Sequence, residues 1–473
     1  EGDNHIKLNS LKIDRLNILG YDYSGIAGAG TYSDDAFNGR IICSDPNLNF
    51  IFQGIFNLSK TSRNALYKFY FNLAYADLKK LNLDKKHEIS RGSFELNADY
   101  MRLEEKDLIG TIDILDLNLE DENGVKKIGD IHINSHSNDD IYRANFESSF
   151  ANATYVGSKQ VIKFIDDLQN ISLKKHLSAL NPSPAEEWSG ERYDASVSFH
   201  DSRDILSFLV PGAYIADSTR LSINISRDGE LRGRLSSPRL AFKGNYMKDL
   251  RLDIDNGSGS LNGKLRSKEN KLGGFITKDN SLIAFAQENE LGLSFDYLED
   301  NGSDNKSNIL LAGELSRDDD GKVVLDAGNL ESTLYFNNHP WTIHPANYRI
   351  SSEGFRLDSL MVDCGNQSMM ADGMVSKTRT DTLSVEMDKF DLGMLVAFLG
   401  SDIEVSGLAT GKAMLMSPTG SNLDASADFL AENLAIYGTR LGEIRLDGGW
   451  NKASEKFEIA ASNKLTISTT SYN

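Results

Sequence analysis

The chain has 473 residues, and its 50 lysines and arginines against 69 aspartates and glutamates give a formal net charge of −19 at pH 7. Each phosphate contact needs a lysine or arginine, so this balance and the lack of a basic stripe argue against nucleic-acid binding and against polybasic attachment to anionic lipid. Hydrophobic residues make up 40% and charged residues 25% of the chain, a composition typical of folded proteins.

Two cysteines, Cys43 and Cys364, define neither a disulfide framework nor a zinc motif. The longest apolar stretch, Ile205–Ala216, contains Pro211 and is shorter than the about 20 residues that a membrane-spanning helix needs. We therefore predict no transmembrane segment. The sequence starts at Glu1 without a methionine or a signal-like region, so we expect a mature product or an excised piece.

Strict alternation of apolar and polar residues is the dominant pattern, and a period of two predicts half-buried strands. The first run covers residues 47–59, where Ile51 and Ile55 interrupt the polar face. In chain order the alternating apolar positions are Leu48, Phe50, Phe52, Phe56 and Leu58; Tyr67, Phe69, Phe71, Leu73 and Tyr75; Phe94, Leu96, Ala98 and Tyr100; Tyr142, Ala144 and Phe146; Ala195, Val197 and Phe199; Leu221, Ile223 and Ile225; Leu291, Leu293, Phe295 and Tyr297; and Leu383, Val385 and Met387.

Short turn clusters separate these runs and predict hairpin loops, so we expect about 25–30 strands in an antiparallel meander. The clusters are Asp121–Gly124, Arg227–Gly229, Asn256–Gly259 and Asp318–Gly321. The alternation slips phase around Ile109–Leu119, which fits either a β-bulge or a strand break.

Helical periodicity is sparse. Apolar residues recur every three or four positions in Lys159–Leu180, which ends at Asn181-Pro-Ser-Pro184. This predicts an amphipathic helix that caps the end of a sheet; a membrane-surface helix is the alternative, and the mixed charge of its polar face argues against it. Elsewhere Asp77, Asp204 and Asp391 precede short apolar segments whose first amide groups they could cap.

The apolar faces of so many strands must leave water, and three arrangements do this: packed sheets, a closed barrel, or a trough filled by something else. Several sandwiches would need several linkers, whereas only residues 181–184 resemble one. The charge density argues against a lipid-facing barrel. A trough remains, and acyl chains are the obvious filler, although packing of the aromatic residues against a second sheet is the alternative.

The sequence resembles the TamB family (translocation and assembly module, DUF490) of Gram-negative envelopes, which is related to AsmA-like proteins. The segments that carry the resemblance are Phe37–Ser59, Phe69–Leu83, Met387–Gly400 and Val405–Trp450, the last similar to the family's terminal repeats. The pattern is similar to Bacteroidetes members and spans about residues 10–465. Compared with full-length members, the sequence shows no anchor helix and is shorter, so we expect it to be an internal or C-terminal segment.

The resemblance implies an all-β fold: an elongated U-shaped (β-taco) antiparallel sheet with an apolar inner groove and few short helices. The expected organisation is a groove segment in residues 1–158, a helix and linker in 159–192, and a continuing groove in 193–473. It also implies a periplasmic location and, in the full-length protein, an inner-membrane anchor. The implied partners are phospholipids and an Omp85-type outer-membrane barrel. The implied function is to carry phospholipid acyl chains between the two membranes and to support outer-membrane protein assembly.

The groove lining that we predict combines the alternation with this resemblance. Its residues are Leu48, Phe50, Phe52, Phe56, Phe69, Phe71, Leu73, Phe94, Leu96, Phe146, Val197, Phe199, Leu293 and Phe295. Two alternatives remain open. One is a scaffold whose strand edge pairs with nascent outer-membrane strands. The other is an extracellular β-sandwich binding protein, for which Trp188, Trp341 and Trp450 are too scattered to form a sugar platform.

No catalytic or cofactor pattern is present, so we expect no enzyme activity, cofactor or metal. His132 and His136 have helical metal-ligand spacing, but local alternation predicts a strand with solvent-facing rings. Asp318–Gly321 lacks the ligand spacing of a calcium loop. The adjacent carboxylates Asp139-Asp140 and Asp166-Asp167 would point apart on a strand or a helix, so neither pair predicts a hydrolytic site.

Overall fold

The structure is a computed structural model. It describes residues 6–33, 35–58, 64–103, 107–138, 141–181, 183–273, 275–376, 381–398, 403–416, 424–451 and 456–463. The chain forms two compact units, the first made of Glu1–Gln169 with Glu187–Lys243 and the second of Asn170–Glu186 with Gly244–Asn473. The sequence-based division into residues 1–158, 159–192 and 193–473 refers to groove segments and not to compact units, so it stays a prediction.

Strands dominate the described residues of both units, and their pairings are antiparallel throughout. The helical elements are short: α1 (Val161–Gln169), α2 (Arg203–Leu209), α3 (Leu392–Phe398), a π-helical turn at Asn170–Lys174, and 3₁₀ turns at Ser178–Leu180 and Gly257–Gly259. The predicted all-β antiparallel fold with few short helices is therefore confirmed. Within the described ranges, no helix is long and apolar enough to span a bilayer.

The strands of the first unit are β1 (Ile6–Ile13), β2 (Leu16–Ile18), β3 (Tyr21–Tyr23), β4 (Ile26–Ser33), β5 (Ala36–Asp45), β6 (Leu48–Asn57), β7 (Asn64–Asp77), β8 (Arg91–Leu103), β9 (Asp107–Asp121), β10 (Gly124–Asn138), β11 (Ile141–Ser148), β12 (Ala151–Gly157), β13 (Tyr193–Phe199), β14 (Ala213–Ile215), β15 (Arg220–Ile225) and β16 (Leu231–Phe242). Strand β1 pairs with β4, and β4 to β13 then pair consecutively. Strand β13 pairs with β15 and β15 with β16, while β2 and β3 form a separate hairpin.

The strands of the second unit are β17 (Asn245–Asp255), β18 (Leu261–Leu272), β19 (Phe275–Gln287), β20 (Glu290–Glu299), β21 (Lys306–Arg317), β22 (Val323–Asn329), β23 (Ser332–Phe336), β24 (His339–Ile343), β25 (Ala346–Ile350), β26 (Gly354–Cys364), β27 (Gln367–Ser376), β28 (Thr382–Asp391), β29 (Val405–Met416), β30 (Asp424–Ile436), β31 (Thr439–Asn451) and β32 (Lys456–Asn463). They also form an antiparallel meander. Strand β22 pairs directly with β25, and the two strands between them in sequence, β23 and β24, form a hairpin.

Fully buried side chains gather where short elements cover the strand ends. In the first unit, the turn residue Leu81 packs with Tyr23 of the β2–β3 hairpin and with Leu73 and Ala76 of β7. In the second unit, Met394 of α3 lies in a cluster with Phe390 and Trp341, all of them at most 2% exposed. A third cluster places Leu177 and Ala179 against Ala286 and Leu315.

The phase slip in β9 is a bulge. Strand β9 is continuous, but its pairing with β8 shifts between Ser93 and Glu95, and Asp116 adopts a φ of 51°. The Asp116 amide donates to the Asp130 carboxylate at 2.9 Å. This bond replaces the cross-strand hydrogen bond that the Asp116 amide loses at the bulge.

The helix predicted over Lys159–Leu180 is interrupted. Helix α1 ends at Gln169, and the next turn is π-helical. At this point the Asn170 side chain accepts from the Glu186 amide at 2.8 Å and donates to its carbonyl at 2.9 Å, which holds the first residue of the π-helical turn against residue 186. As predicted, α1 covers strand ends, since the ring centroid of Phe164 lies 5.7 Å from Tyr155 and 5.3 Å from Tyr193.

The three predicted aspartate caps differ. The Asp391 carboxylate accepts the Met394 amide at 3.0 Å and caps α3. Asp204 lies inside the first turn of α2 rather than before it. Asp77 accepts the Lys80 amide at 3.0 Å, but a turn follows it instead of a helix. Only the Asp391 cap forms as expected.

Candidate functional site

One face of the first unit carries an unbroken row of apolar residues and glycines across thirteen strands. The residues are direct cross-strand partners in turn: Leu8, Gly30, Gly39, Gly54, Phe69, Ala98, Ile112, Ile133, Phe146, Ala153, Val197, Leu221 and Leu235. We call it the central row. Neighbouring strands lie about 4.8 Å apart, so the row follows the sheet for about 58 Å.

Nine aromatic side chains lie in or beside the row on strands β5 to β8. This aromatic cluster comprises Phe37, Phe50, Phe52, Phe56, Tyr67, Phe69, Phe71, Phe94 and Tyr100. Its rings contact one another in an almost continuous chain: the centroid of Phe52 lies 5.2 Å from Phe69, Phe71 lies 5.3 Å from Phe50, and Tyr67 stacks on Tyr100 at 4.7 Å. Such contacts stabilise pairs by about 0.5–1.5 kcal/mol beyond area burial.

All nine members of the aromatic cluster are half-buried. This differs from the strand-end clusters, where Phe390 is 0% and Trp341 2% exposed. Neighbours on one sheet face shield the sides of a ring, and a second packed layer is needed to bury its outer surface. Burial also raises the pKa of the Tyr100 hydroxyl, with a smaller contribution from Tyr67, which indicates an apolar environment. The outer surface of the cluster is therefore not covered by a second layer, and the cluster is not a closed core.

Glycines on neighbouring strands leave room for the aromatic residues to pack closely against the backbone. Gly54 lies opposite Phe69 with a φ of 141°, and a Cβ built there would be 2.2 Å from the Lys68 carbonyl oxygen. A Cβ on Gly39 would be 2.6 Å from the ring of Phe37. No other residue fits at Gly54 without a shift of β7.

The β2–β3 hairpin and the turn after β7 close one end of the cluster. The Asp45 carboxylate accepts from Tyr21 Oη at 2.6 Å and from the Ser24 amide at 2.9 Å, which fixes the hairpin. In the turn, Asp84 accepts from Ser90 Oγ at 2.7 Å and lies 2.6 Å from His87 Nδ1. Burial alone would raise the pKa of Asp84, but the hydrogen bonds from Ser90, His87 and the Lys86 amide outweigh it and hold this pKa well below its usual range.

The reverse face of the same strands is polar and exposed to solvent. Lys68 Nζ lies 2.7 Å from the Asp99 carboxylate, and the exposed His132 has its Nδ1 2.8 Å from Asp113. Ile51 and Ile55 lie on this face, as their sequence phase predicts. His132 and His136 are strand residues, and no group of three potential metal ligands occurs in the described part of the chain. In α1, Asp166 and Asp167 diverge to Lys163 and Lys159, while Asp139-Asp140 lies outside the described residues.

The predicted lining residues fall on apolar sheet faces. Nine of them, Leu48, Phe50, Phe52, Phe56, Phe69, Phe71, Leu73, Phe94 and Leu96, form one patch on β6 to β8. Phe146 and Val197 join that patch through the central row. Phe199, two residues after Val197, is the next residue of β13 on the same face. Leu293 and Phe295 belong to the second unit, where they pair with Leu311 and Ile309.

Several members of the face were absent from the predicted lining. Phe37 and Ile41 on β5 lie opposite Phe56 and Phe52. Ile112 and Ile133 fill the central row between Phe69 and Phe146. The alternation of β5 and β10 was a usable signal for these residues, whereas the bulge obscured that of β9.

These features define an all-β protein with a long, half-covered apolar sheet face. Comparisons of the chain with protein-family models, with curated proteins and with solved structures each found no match.

Proposed function

We propose that the chain is a non-enzymatic, periplasmic β-groove segment of a TamB-like envelope protein. It carries phospholipid acyl chains between the inner and outer membranes and supports outer-membrane protein assembly together with an Omp85-type barrel. The observation that supports this proposal is the central row, whose large apolar side chains stay half-buried along twelve consecutive pairings of thirteen strands.

An acyl chain matches the chemistry of this face. The face positions of β6, β7 and β8 from Leu48 to Phe56, Tyr67 to Leu73 and Phe94 to Tyr100 are apolar, aromatic or glycine. An occupant that forms no hydrogen bonds therefore loses nothing there, and it gains about 25 cal/mol per Å² of apolar surface removed from water. Head groups would remain at the strand ends in contact with water.

The length of the row favours movement over storage. One leaflet of a bilayer holds acyl chains in about 15 Å, half of its about 30 Å hydrocarbon thickness. The central row, at about 58 Å, is several such lengths. Because its residues are chemically similar throughout, neighbouring positions bind a chain with similar free energy, and a lipid can slide without a large barrier.

Site-specific photocrosslinking tests this proposal. Benzoylphenylalanine replaces Phe52 or Phe146 on the apolar face. The matched controls on the polar face are Tyr70, on the strand next to that of Phe52, and Asn145, on the same strand as Phe146. After irradiation in a Gram-negative envelope, we expect phospholipid adducts from the two apolar positions and at least about tenfold fewer from the controls. Equal adduct yields from both faces, or protein adducts alone from Phe52, would contradict lipid carriage.

A further inference from the structure

A pocket of about 310 Å³ lies on the polar face of the first unit, and three arginines line it. Arg143 lies on β11, Arg192 immediately precedes β13, and Arg227 lies in the turn between β15 and β16. The pocket also contains Asp194 and Ser158. Since 49 residues separate the first two arginines in sequence and 35 the next two, only the strand pairing brings them together.

The backbone positions of two of these arginines are fixed. The Arg192 amide donates to Ser158 Oγ at 3.0 Å, and Trp188 Nε1 donates to the Arg227 carbonyl oxygen at 2.8 Å. Arg143 lies directly opposite Val156, which in turn lies opposite Asp194. Arg143 and Asp194 are therefore two strands apart, or about 10 Å between backbones.

The charges of the pocket are unbalanced. Among the described residues, none of the three guanidinium groups has a hydrogen bond or ion pair, in contrast to nearby cations. Arg232 lies 3.4 Å from Glu230, and Lys159 lies 3.0 Å from Glu191, so the carboxylate next to Arg192 in sequence is already engaged. Three arginines and one aspartate leave a local charge of 3 − 1 = +2 in a chain whose net charge is −19.

We propose that this arginine pocket binds a phosphate group, either as a lipid head group or as free phosphate. Guanidinium groups present planar pairs of donors that match phosphate oxygens, and they bind such anions more strongly than neutral donors do. An excess charge of two units matches the charge of a phosphate group. The site lies on the polar face and does not depend on acyl-chain binding by the apolar face.

Calorimetric titration of the complete chain tests the arginine pocket. The probes are inorganic phosphate, glycerol 3-phosphate, and vesicles of phosphatidylglycerol in phosphatidylcholine against phosphatidylcholine alone. The site variant is Arg143→Gln with Arg192→Gln. The control is Arg203→Gln with Arg232→Gln, which removes the same charge from arginines of the same unit that are paired with carboxylates.

We expect saturable binding of a phosphate-bearing probe, at least about tenfold weaker in the site variant and less than about twofold weaker in the control. Binding of the soluble probes identifies free phosphate as the ligand, and binding of phosphatidylglycerol vesicles alone identifies a head group. Either result supports the pocket, provided that only the site variant loses it. No binding of any probe, or equal weakening in both variants, overturns the proposal. A Phe52→Asp variant should bind the soluble probes normally, which separates this site from the lipid-carrying face.

Discussion

Replacing Phe52 and Phe71 by aspartate should abolish acyl-chain binding while the sheet stays folded. The two residues are direct cross-strand partners in the middle of the aromatic cluster. Their ring centroids lie 5.2 Å and 5.3 Å from Phe69 and Phe50, respectively. A carboxylate on each strand interrupts the apolar surface at that point, because it keeps its hydration shell and holds water against any neighbouring chain.

The expected loss of lipid affinity can be estimated from the number of CH₂ groups that stay hydrated. If about two CH₂ groups remain hydrated at each carboxylate, the loss is about 3 kcal/mol at about 0.8 kcal/mol per CH₂, or about 200-fold in affinity. Equilibrium binding of a fluorescent phospholipid measures this difference, and far-ultraviolet circular dichroism checks that the strand content is unchanged.

The matched control changes the other side of the same two strands. Gln53 and Tyr70 are also direct partners, and they lie on the polar face. Gln53→Asp with Tyr70→Asp adds the same two charges in the same cross-strand geometry, and we expect it to reduce lipid affinity by less than about threefold. If both double variants lose affinity equally, or if neither does, the apolar face is not the binding surface; unaffected lipid binding with impaired barrel assembly would favour the strand-edge scaffold.

Three further predictions concern the fold. Gly54→Ala should destabilise β6 and β7 by about 2–3 kcal/mol, as measured by native-state hydrogen exchange. The control is Gly263→Ala, where a Cβ meets nothing within 4 Å, and it should change stability by less than about 1 kcal/mol. Equal effects of the two substitutions would contradict the strained geometry at Gly54. Phe390→Ala should cost about 3–5 kcal/mol in the exchange of adjacent strands and Phe146→Ala only about 1 kcal/mol, and a large loss at Phe146 would indicate a packed second layer. The pKa of Asp84 is held below its usual range, so its carboxylate stabilises the fold above the unfolded-state pKa of about 4 and this contribution disappears as the pH falls through the lower folded value. Asp84→Asn should therefore lose stability at pH 7 and show a flatter acid-denaturation profile, and an unchanged profile would refute this role.

Within an uninterrupted strand, the sequence was sufficient to predict which residues share a face. Because side chains alternate with a period of two, the phase of residues 47–59 placed Phe50 and Phe52 together and sent Ile51 and Ile55 to the other side, as the structure shows. The predicted hairpin turns at Asp121–Gly124 and Asp318–Gly321 are also confirmed. They were predictable because aspartate and glycine favour the required turn conformations.

The path of the central row could not be predicted, because it depends on register. A β-bulge displaces the register by one residue, and the bulge at Asp116 is visible only as a lost phase in the sequence. The same limit hides the arginine pocket, whose members Arg143, Arg192 and Arg227 carry no local pattern and meet only through the pairing of β11, β12, β13 and β15. The π-helical turn at Asn170 was missed for another reason, since the Asn170 side chain binds the backbone groups of Glu186, which is 16 residues away.

Native mass spectrometry of the chain purified without detergent from a Gram-negative host is the most direct measurement of whether the apolar face holds lipid. We predict a series of bound masses of phospholipid size, heterogeneous because a face without polar contacts does not select one species, and absent after Phe52 and Phe71 are both replaced by aspartate. Detection of only the bare chain mass under conditions that preserve a known lipid-binding protein in its loaded form would contradict this account.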